Sequence, residues 1–205
     1  MRLGARQALL RPVRSSRYLM SPTKKKVSFF KEFLKDHHVA AVQPSSPHLM
    51  RRLLKRLDLE QAKFVIELGP GEGVAMRAIL PKLASDARYV AIERNPTFVI
   101  ALRNGLDPRA SVLEGRAQDL ETLLPDDIGR TDVVVASIPF TYLKKDERRA
   151  VVSSVKKMLR PGGTLVVFHQ YTPLMVPYLA KEFDEVKVEF EALNVLPCFM
   201  MSVRK

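Results

Sequence analysis

Three glycines and one acidic residue stand out by their types and their spacing. The segment VIELGPGEGV is an apolar run that turns into a helical pattern through Gly69, Gly71 and Gly73. Glycines suit such a turn because the backbone must bend tightly and approach a ligand with no Cβ in the way. Glu93 ends the next apolar run, twenty residues beyond Gly73, where an acidic side chain can hydrogen-bond vicinal ribose hydroxyls. The four residues predict a nucleotide-binding turn, although G-x-G-x-G is one residue shorter than the dinucleotide fingerprint.

A second group of residues follows the apolar run at positions 133–135. The segment SIPF consists of Ser137, Ile138, Pro139 and Phe140, and it stands where a buried strand should end. In open α/β sheets, chemistry takes place just outside the carboxyl ends of strands. A proline turn can present backbone carbonyl groups to the N–H groups of an amine, and the ring of Phe140 can cover a flat or cationic group. We therefore expect this turn to bind a substrate that carries an amine group.

The elements that must position both groups alternate along the chain. Apolar runs predict seven strands, at KFVIELG, RYVAIER, ASVLEG, TDVVVAS, GGTLVVFHQY, EVKVEFEAL and CFMMSVRK. Helical patterns lie between most of them, and Pro81 should end or bend the helix in VAMRAILPKLA. Strands that alternate with helices indicate an α/β fold with a parallel, doubly wound sheet. The short NVLP loop between the last two strands indicates an antiparallel excursion at one edge.

Length and composition exclude several classes of protein. With 205 residues, 46% of them hydrophobic, the chain can bury one good core. It has no run of about 18 apolar residues that would span a bilayer. A single cysteine, Cys198, excludes an internal disulfide framework. We expect no metal site, because this cysteine and the four histidines lack metal-ligand spacing; the histidines are His37, His38, His48 and His169.

The positive charge is concentrated at the N-terminus. Residues 1–35 carry ten basic residues and one acidic residue, a net charge of +9, which leaves +3 for the other 170 residues. Residues 1–23 have the composition of a disordered basic arm or of a cleaved presequence. Residues 24–58 should form helices, the first of them basic and amphipathic, and residues 59–205 should form the α/β domain. Such a basic arm suits nucleic acid or an anionic lipid surface.

The segment ELGPGEG resembles motif I of the class I S-adenosylmethionine-dependent methyltransferases. The resemblance covers roughly residues 60–205 and implies a Rossmann-like, seven-stranded sheet with a reversed last strand. It implies that Glu67 and the glycine loop lie beside the methionine part of S-adenosylmethionine. It also implies that Glu93, followed by Arg94, binds the ribose. Arg116 stands where many relatives have an aspartate for the adenine amino group, which leaves Gln118 or Asp119 for this contact.

Two amine-methylating families have turns related to SIPF. The adenine N6-methyltransferases, which include the ribosomal RNA dimethylases, use N/D-P-P-Y/F or N-I/L-P-Y/F, and Ser137 replaces the asparagine or aspartate of that turn. The bacterial phosphatidylethanolamine N-methyltransferases resemble this chain at more points, namely AVQPSS, VIELGPGEGV, ASIPF, FHQYTP and LNVLPC. The second resemblance implies that Tyr171 and Asn194 orient the phosphate or ethanolamine of the lipid. Tyr142 and His169 are further candidates, and a neutral histidine or tyrosine could take the proton of the amine.

The second resemblance leads to a functional hypothesis. We expect methyl transfer from S-adenosylmethionine to phosphatidylethanolamine, with KKKVSFFKEFLKDHH as an interfacial helix on an anionic membrane. RNA adenine, a protein amine, or a non-catalytic lipid- or RNA-binding module are the alternatives. A bacterial enzyme of this kind would lie on the cytoplasmic face of the inner membrane. The Arg- and Ser-bearing start of the chain also has the composition of a mitochondrial presequence.

Overall fold

The computed structural model describes residues 46–193 and 196–205. The arm at 1–23, the predicted interfacial helix and Asn194 lie outside the described residues. The described part forms seven strands. They are β1 (Phe64–Leu68), β2 (Arg88–Glu93), β3 (Ala110–Glu114), β4 (Thr131–Ala136), β5 (Leu159–Gln170), β6 (Lys187–Glu191) and β7 (Cys198–Arg204).

Helices connect most of these strands. They are α1 (Pro47–Arg56), α2 (Val74–Ile79), α3 (Pro96–Arg103), α4 (Leu120–Leu123), α5 (Lys145–Met158) and α6 (Val176–Leu179). Short 3-10 turns lie at Leu80–Lys82, Ala117–Asp119, Pro125–Asp127 and Phe140–Tyr142. No helix formed by the described residues is long and apolar enough to cross a membrane.

The strand order confirms the predicted doubly wound sheet. It is β3-β2-β1-β4-β5-β7-β6, and β7 runs antiparallel to both of its neighbours. Strands β1 and β4 are adjacent and parallel, with Leu68 opposite Ala136. The strand order reverses between these two strands, which is where ligands bind in open α/β sheets. The glycine loop after β1 and the SIPF turn after β4 therefore leave the sheet side by side.

Two apolar layers cover the sheet. One contains buried residues of α1, α2 and α3 together with Val65, Tyr89 and Met200. The other contains buried residues of α4, α5 and α6 together with Ile66 and Val134. The alternation of side chains along β1 explains this division, because neighbouring residues of a strand point to opposite faces.

Local signals explain where several helices begin and end. Helix α3 begins after Asn95, whose side chain accepts a hydrogen bond from the N–H of Thr97 at 2.9 Å, with Pro96 in the first turn. Helix α2 ends at Ile79, before Pro81, as predicted. Strand β5 is longer than the predicted GGTLVVFHQY, because it begins directly after α5. Helix α6 has a single turn.

Helix α1 holds the edge strand β6 through ion pairs. Arg52 donates to the carbonyl oxygen of Phe190 at 2.8 Å and to Glu191 at 3.2 Å. One turn further on, Arg56 donates to Glu189 at 2.9 Å. Because Glu191 is the last residue of β6, the N-terminal end of α1 lies toward the carboxyl ends of the parallel strands.

Candidate functional site

The glycine loop after β1 has a backbone conformation that favours glycine at all three predicted positions. The φ angles of Gly69, Gly71 and Gly73 are 74°, 54° and 77°. The N–H of Gly69 donates to the carbonyl oxygen of Ile92 at 2.9 Å, and that of Gly73 donates to Pro70 at 2.8 Å. Any residue with a Cβ would be strained in this left-handed region.

The glycine loop and the SIPF turn are in direct contact. A Cβ atom added to Gly69 would lie 2.7 Å from Cγ2 of Ile138 and 3.4 Å from its Cα. The N–H of Ser137 donates to the carbonyl oxygen of Leu68 at 2.9 Å. The structure thus brings together the two groups of residues that the sequence singled out.

The carboxylate of Glu93 lies against the glycine loop. One oxygen accepts a hydrogen bond from the N–H of Gly71 at 3.1 Å, and the other accepts from the N–H of Asn95 at 2.8 Å. Burial raises the pKa of Glu93, and the hydrogen bonds from the backbone of Asn95, Gly71 and Arg94 oppose this shift. An ionised carboxylate accepts hydrogen bonds only, so Glu93 fits the vicinal hydroxyls of a ribose. The side chain of Arg94 is exposed.

A second carboxylate, that of Glu67, is buried beneath the glycine loop. Its oxygen Oε2 accepts a hydrogen bond from the hydroxyl of Tyr89, which is fully buried. Burial is the main reason that the pKa of Glu67 rises to about 7, and the hydrogen bond from Tyr89 opposes this rise. The nearby charge of Glu93 raises this pKa and that of Arg77 lowers it. No sequence motif assigned a role to Tyr89.

The residues predicted to flank adenine lie in the turn after β3. Gln118 is half-buried, and its amide nitrogen donates to Glu147 at 3.3 Å. Arg116 forms an ion pair with the same carboxylate at 2.6 Å. The side chain of Asp119 is exposed. These residues lie at the carboxyl edge of the sheet, and their contact with adenine stays a prediction.

The SIPF turn continues into a 3-10 turn that places its aromatic ring in the core. The N–H of Tyr142 donates to the carbonyl oxygen of Pro139 at 3.0 Å. The side chain of Phe140 is only 1% exposed and belongs to the same apolar layer as Val151 and Val152 of α5. Its ring therefore does not lie on an open surface, and this corrects the expectation that it covers the acceptor. The side chain of Tyr142 is half-exposed.

Arg148 of α5 binds the backbone of the SIPF turn at Phe140 and at the following residue, Thr141. Its Nε donates to the carbonyl oxygen of Phe140 at 2.8 Å, and its Nη2 donates to that of Thr141 at 3.1 Å. Its Nη1 donates to the hydroxyl of Tyr178 at 3.3 Å, and the guanidinium carbon lies 5.8 Å from the centre of that ring. The sequence analysis missed this arginine. A guanidinium with several fixed donors can hold the backbone of the turn in one conformation.

His169 connects the turn after β4 with the turn after β5. Its Nδ1 lies 2.7 Å from the carbonyl oxygen of Thr172, and its Nε2 lies 3.0 Å from the hydroxyl oxygen of Thr141. A carbonyl only accepts, so Nδ1 donates, and in the neutral ring Nε2 accepts from Thr141. Burial is the main cause that lowers the pKa of His169, and the charge of Arg148 lowers it further. Both ring nitrogens thus bind the protein.

Tyr171 has an unusual backbone conformation. Among the described residues, it is the only non-glycine residue with a positive φ, 66°. Its N–H donates to the carbonyl oxygen of Pro197 at 2.9 Å, and its side chain is 62% exposed. This hydrogen bond brings the turn after β5 next to Pro197, directly before β7. Within residues 46–193 and 196–205, no group of three or more histidine, cysteine, aspartate or glutamate residues could hold a metal ion.

Comparison with known proteins assigns the family. A family model described as a methyltransferase domain matches residues 65–163. The chain is 34% identical over 165 residues to the ornithine lipid N-methyltransferase of Singulisphaera acidiphila, an alignment that covers 78% of this chain and 84% of that protein. It is 29% identical over 92 residues to ribosomal RNA small subunit methyltransferase A of Parasynechococcus marenigrum, with 45% and 30% covered. The structure of the N-methyltransferase NodS from Bradyrhizobium japonicum has the same fold, with a TM-score of 0.64, 19% identity, and 77% and 94% covered.

The sheet with its reversed seventh strand, and the glycine loop at the point where strand order reverses, define the architecture of a class I methyltransferase. With a relative this similar over most of both sequences, the chain belongs to the S-adenosylmethionine-dependent methyltransferases. The site fits that cofactor. Glu93 offers acceptors for a ribose, Glu67 offers a carboxylate for a cationic group, and Gly69 leaves no room for a side chain.

Proposed function

We propose that this methyltransferase transfers methyl groups to the primary amine of a membrane lipid, with phosphatidylethanolamine as the acceptor. The observation that carries the proposal is the contact between the glycine loop and the SIPF turn, at Gly69 and Ile138. This contact supports an acceptor site directly beside the cofactor loop. The similarity to an ornithine lipid N-methyltransferase supports an amine-bearing lipid over other acceptors.

The surroundings of the SIPF turn favour a neutral amine. S-adenosylmethionine supplies an electrophilic methyl group when it is bound. The nucleophile must be the unprotonated amine, because an ammonium group has no lone pair. The positive charge of Arg148 behind the turn disfavours an ammonium group there, as it does the protonated form of His169.

In this proposal water takes the proton of the amine, and side chains of the protein orient the lipid headgroup. Both ring nitrogens of His169 are bound to the protein, so it is better suited to hold the two turns together than to take a proton. The amine would lose its proton to water at the open edge of the site. The exposed phenols of Tyr171 and Tyr142 lie on the turns at this edge and would orient the phosphate or ethanolamine.

The basic arm would bring the enzyme to the lipid. Extraction of a phospholipid from a bilayer exposes its acyl chains to water at about 0.8 kcal/mol per CH₂ group. The N-terminal end of α1 lies toward the carboxyl edge of the sheet, because Arg52 reaches Glu191. Ser46, the first described residue, caps the N-terminal end of α1 and therefore lies toward this edge. We propose that residues 24–41 contact anionic headgroups there through their lysines and phenylalanines.

A liposome assay tests the acceptor. The full chain is incubated with labelled S-adenosylmethionine and anionic vesicles that contain phosphatidylethanolamine, ornithine lipid or neither. Stripped ribosomal RNA serves as a parallel acceptor. We expect label in the phosphatidylethanolamine fraction. Label in RNA alone would refute a lipid acceptor, and label in ornithine lipid alone would refute phosphatidylethanolamine while it retains a lipid amine.

A double substitution tests the role of the arm. Phe30→Glu with Phe33→Glu should release the protein from anionic vesicles by sedimentation and leave the affinity for S-adenosylmethionine unchanged. The control is Ile128→Glu, which also places a glutamate on an exposed apolar residue, 48% exposed, but elsewhere on the domain. This variant should bind vesicles as well as the wild type does. Equal vesicle binding by the wild type and the double variant would contradict the proposed role.

A further inference from the structure

Tyr89 and Glu67 form a buried hydrogen-bonded pair directly before the glycine loop, and the role of Tyr89 in it is unassigned. Glu67 is 1% exposed and lies on β1 directly before the glycine loop, while Tyr89 is fully buried on β2. The hydroxyl of Tyr89 donates a hydrogen bond to Oε2 of Glu67. An ionised carboxyl group at such a position is costly unless hydrogen-bond donors or a cation compensate for the lost solvent.

We infer that Tyr89 is a positioning residue that holds the Glu67 carboxylate ready for a cationic part of S-adenosylmethionine, and that this carboxyl releases a proton when the cofactor binds. The inference concerns the cofactor and does not depend on the identity of the acceptor. Tyr89 acts through Glu67 and need not touch the cofactor itself.

The groups that face Glu67 support this direction of proton movement. Tyr89 stays protonated, because burial raises its pKa well above 10, so it remains a donor to the carboxylate. Arg77 of α2 is the nearby positive group, and the carboxylate of Glu93 is the nearby negative one. With a pKa of about 7, Glu67 is close to half protonated at neutral pH in the absence of the cofactor. A cationic ligand beside it lowers this pKa and displaces the proton.

The sign of the pH dependence follows from this linkage. The pKa of Glu67 is higher without the cofactor than with it, so the affinity reaches its full value above the cofactor-free pKa and falls as the pH drops through it. For a cofactor-free pKa of about 7, affinity at pH 6 should be about tenfold lower than at pH 8. Glu93 depends on backbone donors of the glycine loop and Asn95 instead of Tyr89, so a substitution of Tyr89 separates the two carboxylates.

Isothermal calorimetry with S-adenosylmethionine between pH 6 and pH 8.5 tests the inference. Titrations in two buffers with different ionisation enthalpies give the number of protons released. The wild type should release about half a proton per cofactor at pH 7 and show the tenfold loss at pH 6. Tyr89→Phe removes a donor to the ionised form, so the midpoint of the affinity profile should move upward by about one pH unit.

Two further variants separate positioning from a general loss of structure. Tyr178→Phe removes a tyrosine hydroxyl that Arg148 contacts elsewhere in the fold and should leave the midpoint unchanged. Glu67→Gln should abolish the pH dependence in this range. An affinity that is flat between pH 6 and pH 8 in the wild type would overturn the inference. So would a Tyr89→Phe variant that binds more weakly by the same factor at every pH.

Discussion

The contact between Gly69 and Ile138 can be tested by the addition of a single methyl group. In Gly69→Ala the new Cβ would lie 2.7 Å from Cγ2 of Ile138, about 1 Å closer than ordinary van der Waals contact. The backbone at this position has φ 74°, so alanine also adopts the left-handed region at a cost of about 1–2 kcal/mol. Overpacking adds about 1–3 kcal/mol. We expect a total loss of about 2–5 kcal/mol in the free energy of unfolding.

Gly129 provides a matched control for the strain. Its φ is also 74°, and a Cβ added there would meet no atom within 4 Å. Gly129→Ala should therefore cost only the backbone contribution of about 1–2 kcal/mol. Urea unfolding of both variants gives the difference, which measures the steric conflict with the acceptor turn. A double variant, Gly69→Ala with Ile138→Ala, removes the conflicting Cγ2 atom and should recover part of that difference.

Activity should follow the same contact. If Ile138 moves by about 1 Å to relieve the conflict, methyl transfer should fall by about 100-fold, because catalysis is sensitive to displacements of this size. The reasoning would be refuted if Gly69→Ala and Gly129→Ala lost the same stability and Gly69→Ala kept wild-type turnover. That result would mean that the two loops are not tightly packed on each other.

Three other substitutions or reactions probe the same structure. Arg148→Met should lower methyl transfer at least about tenfold without a change in cofactor affinity, because the carbonyl oxygens of Phe140 and Thr141 lose a charged donor. Arg149→Met, on the exposed side of α5, is the control and should have little effect on methyl transfer. Phe140→Ala should destabilise the fold by about 3–5 kcal/mol in urea unfolding, since the ring is buried, and a loss below about 1 kcal/mol would contradict its place in the core. Burial raises the pKa of the Cys198 thiol to about 11, so iodoacetamide at pH 7.5 should label this thiol only as fast as the protein unfolds. Mass spectrometry measures the labelling rate, and fast labelling of the folded protein would contradict the burial of Cys198.

Much of the fold could be predicted because each strand leaves a strong local signal. The apolar runs that form β1, β2 and β4 are buried on both faces, and such runs are typical of central parallel strands. The antiparallel pairing of β6 with β7 was predicted from the short loop between these strands. The lengths of β5 and α6 depend on hydrogen bonds to neighbouring elements, which no local pattern records.

The candidate site was predicted only in part, because some of its contacts join distant segments. Arg148 had a local signal, since it lies three, four and seven residues before Val151, Val152 and Val155 and so shares their buried face. Its neighbour Arg149 has the same charge but points to solvent. The pairing of Tyr89 with Glu67 depends on the register between β1 and β2, which the sequence of either strand alone does not determine.

The backbone of Tyr171 has a consequence for how this protein can evolve. A tyrosine with φ 66° destabilises the folded chain by about 1–3 kcal/mol relative to a residue in an ordinary conformation. Glycine would relieve this strain, but it would also delete the exposed phenol at the rim of the site. Selection for thermal tolerance alone should therefore drive this position toward glycine, and a tyrosine should persist only in lineages that need its ring.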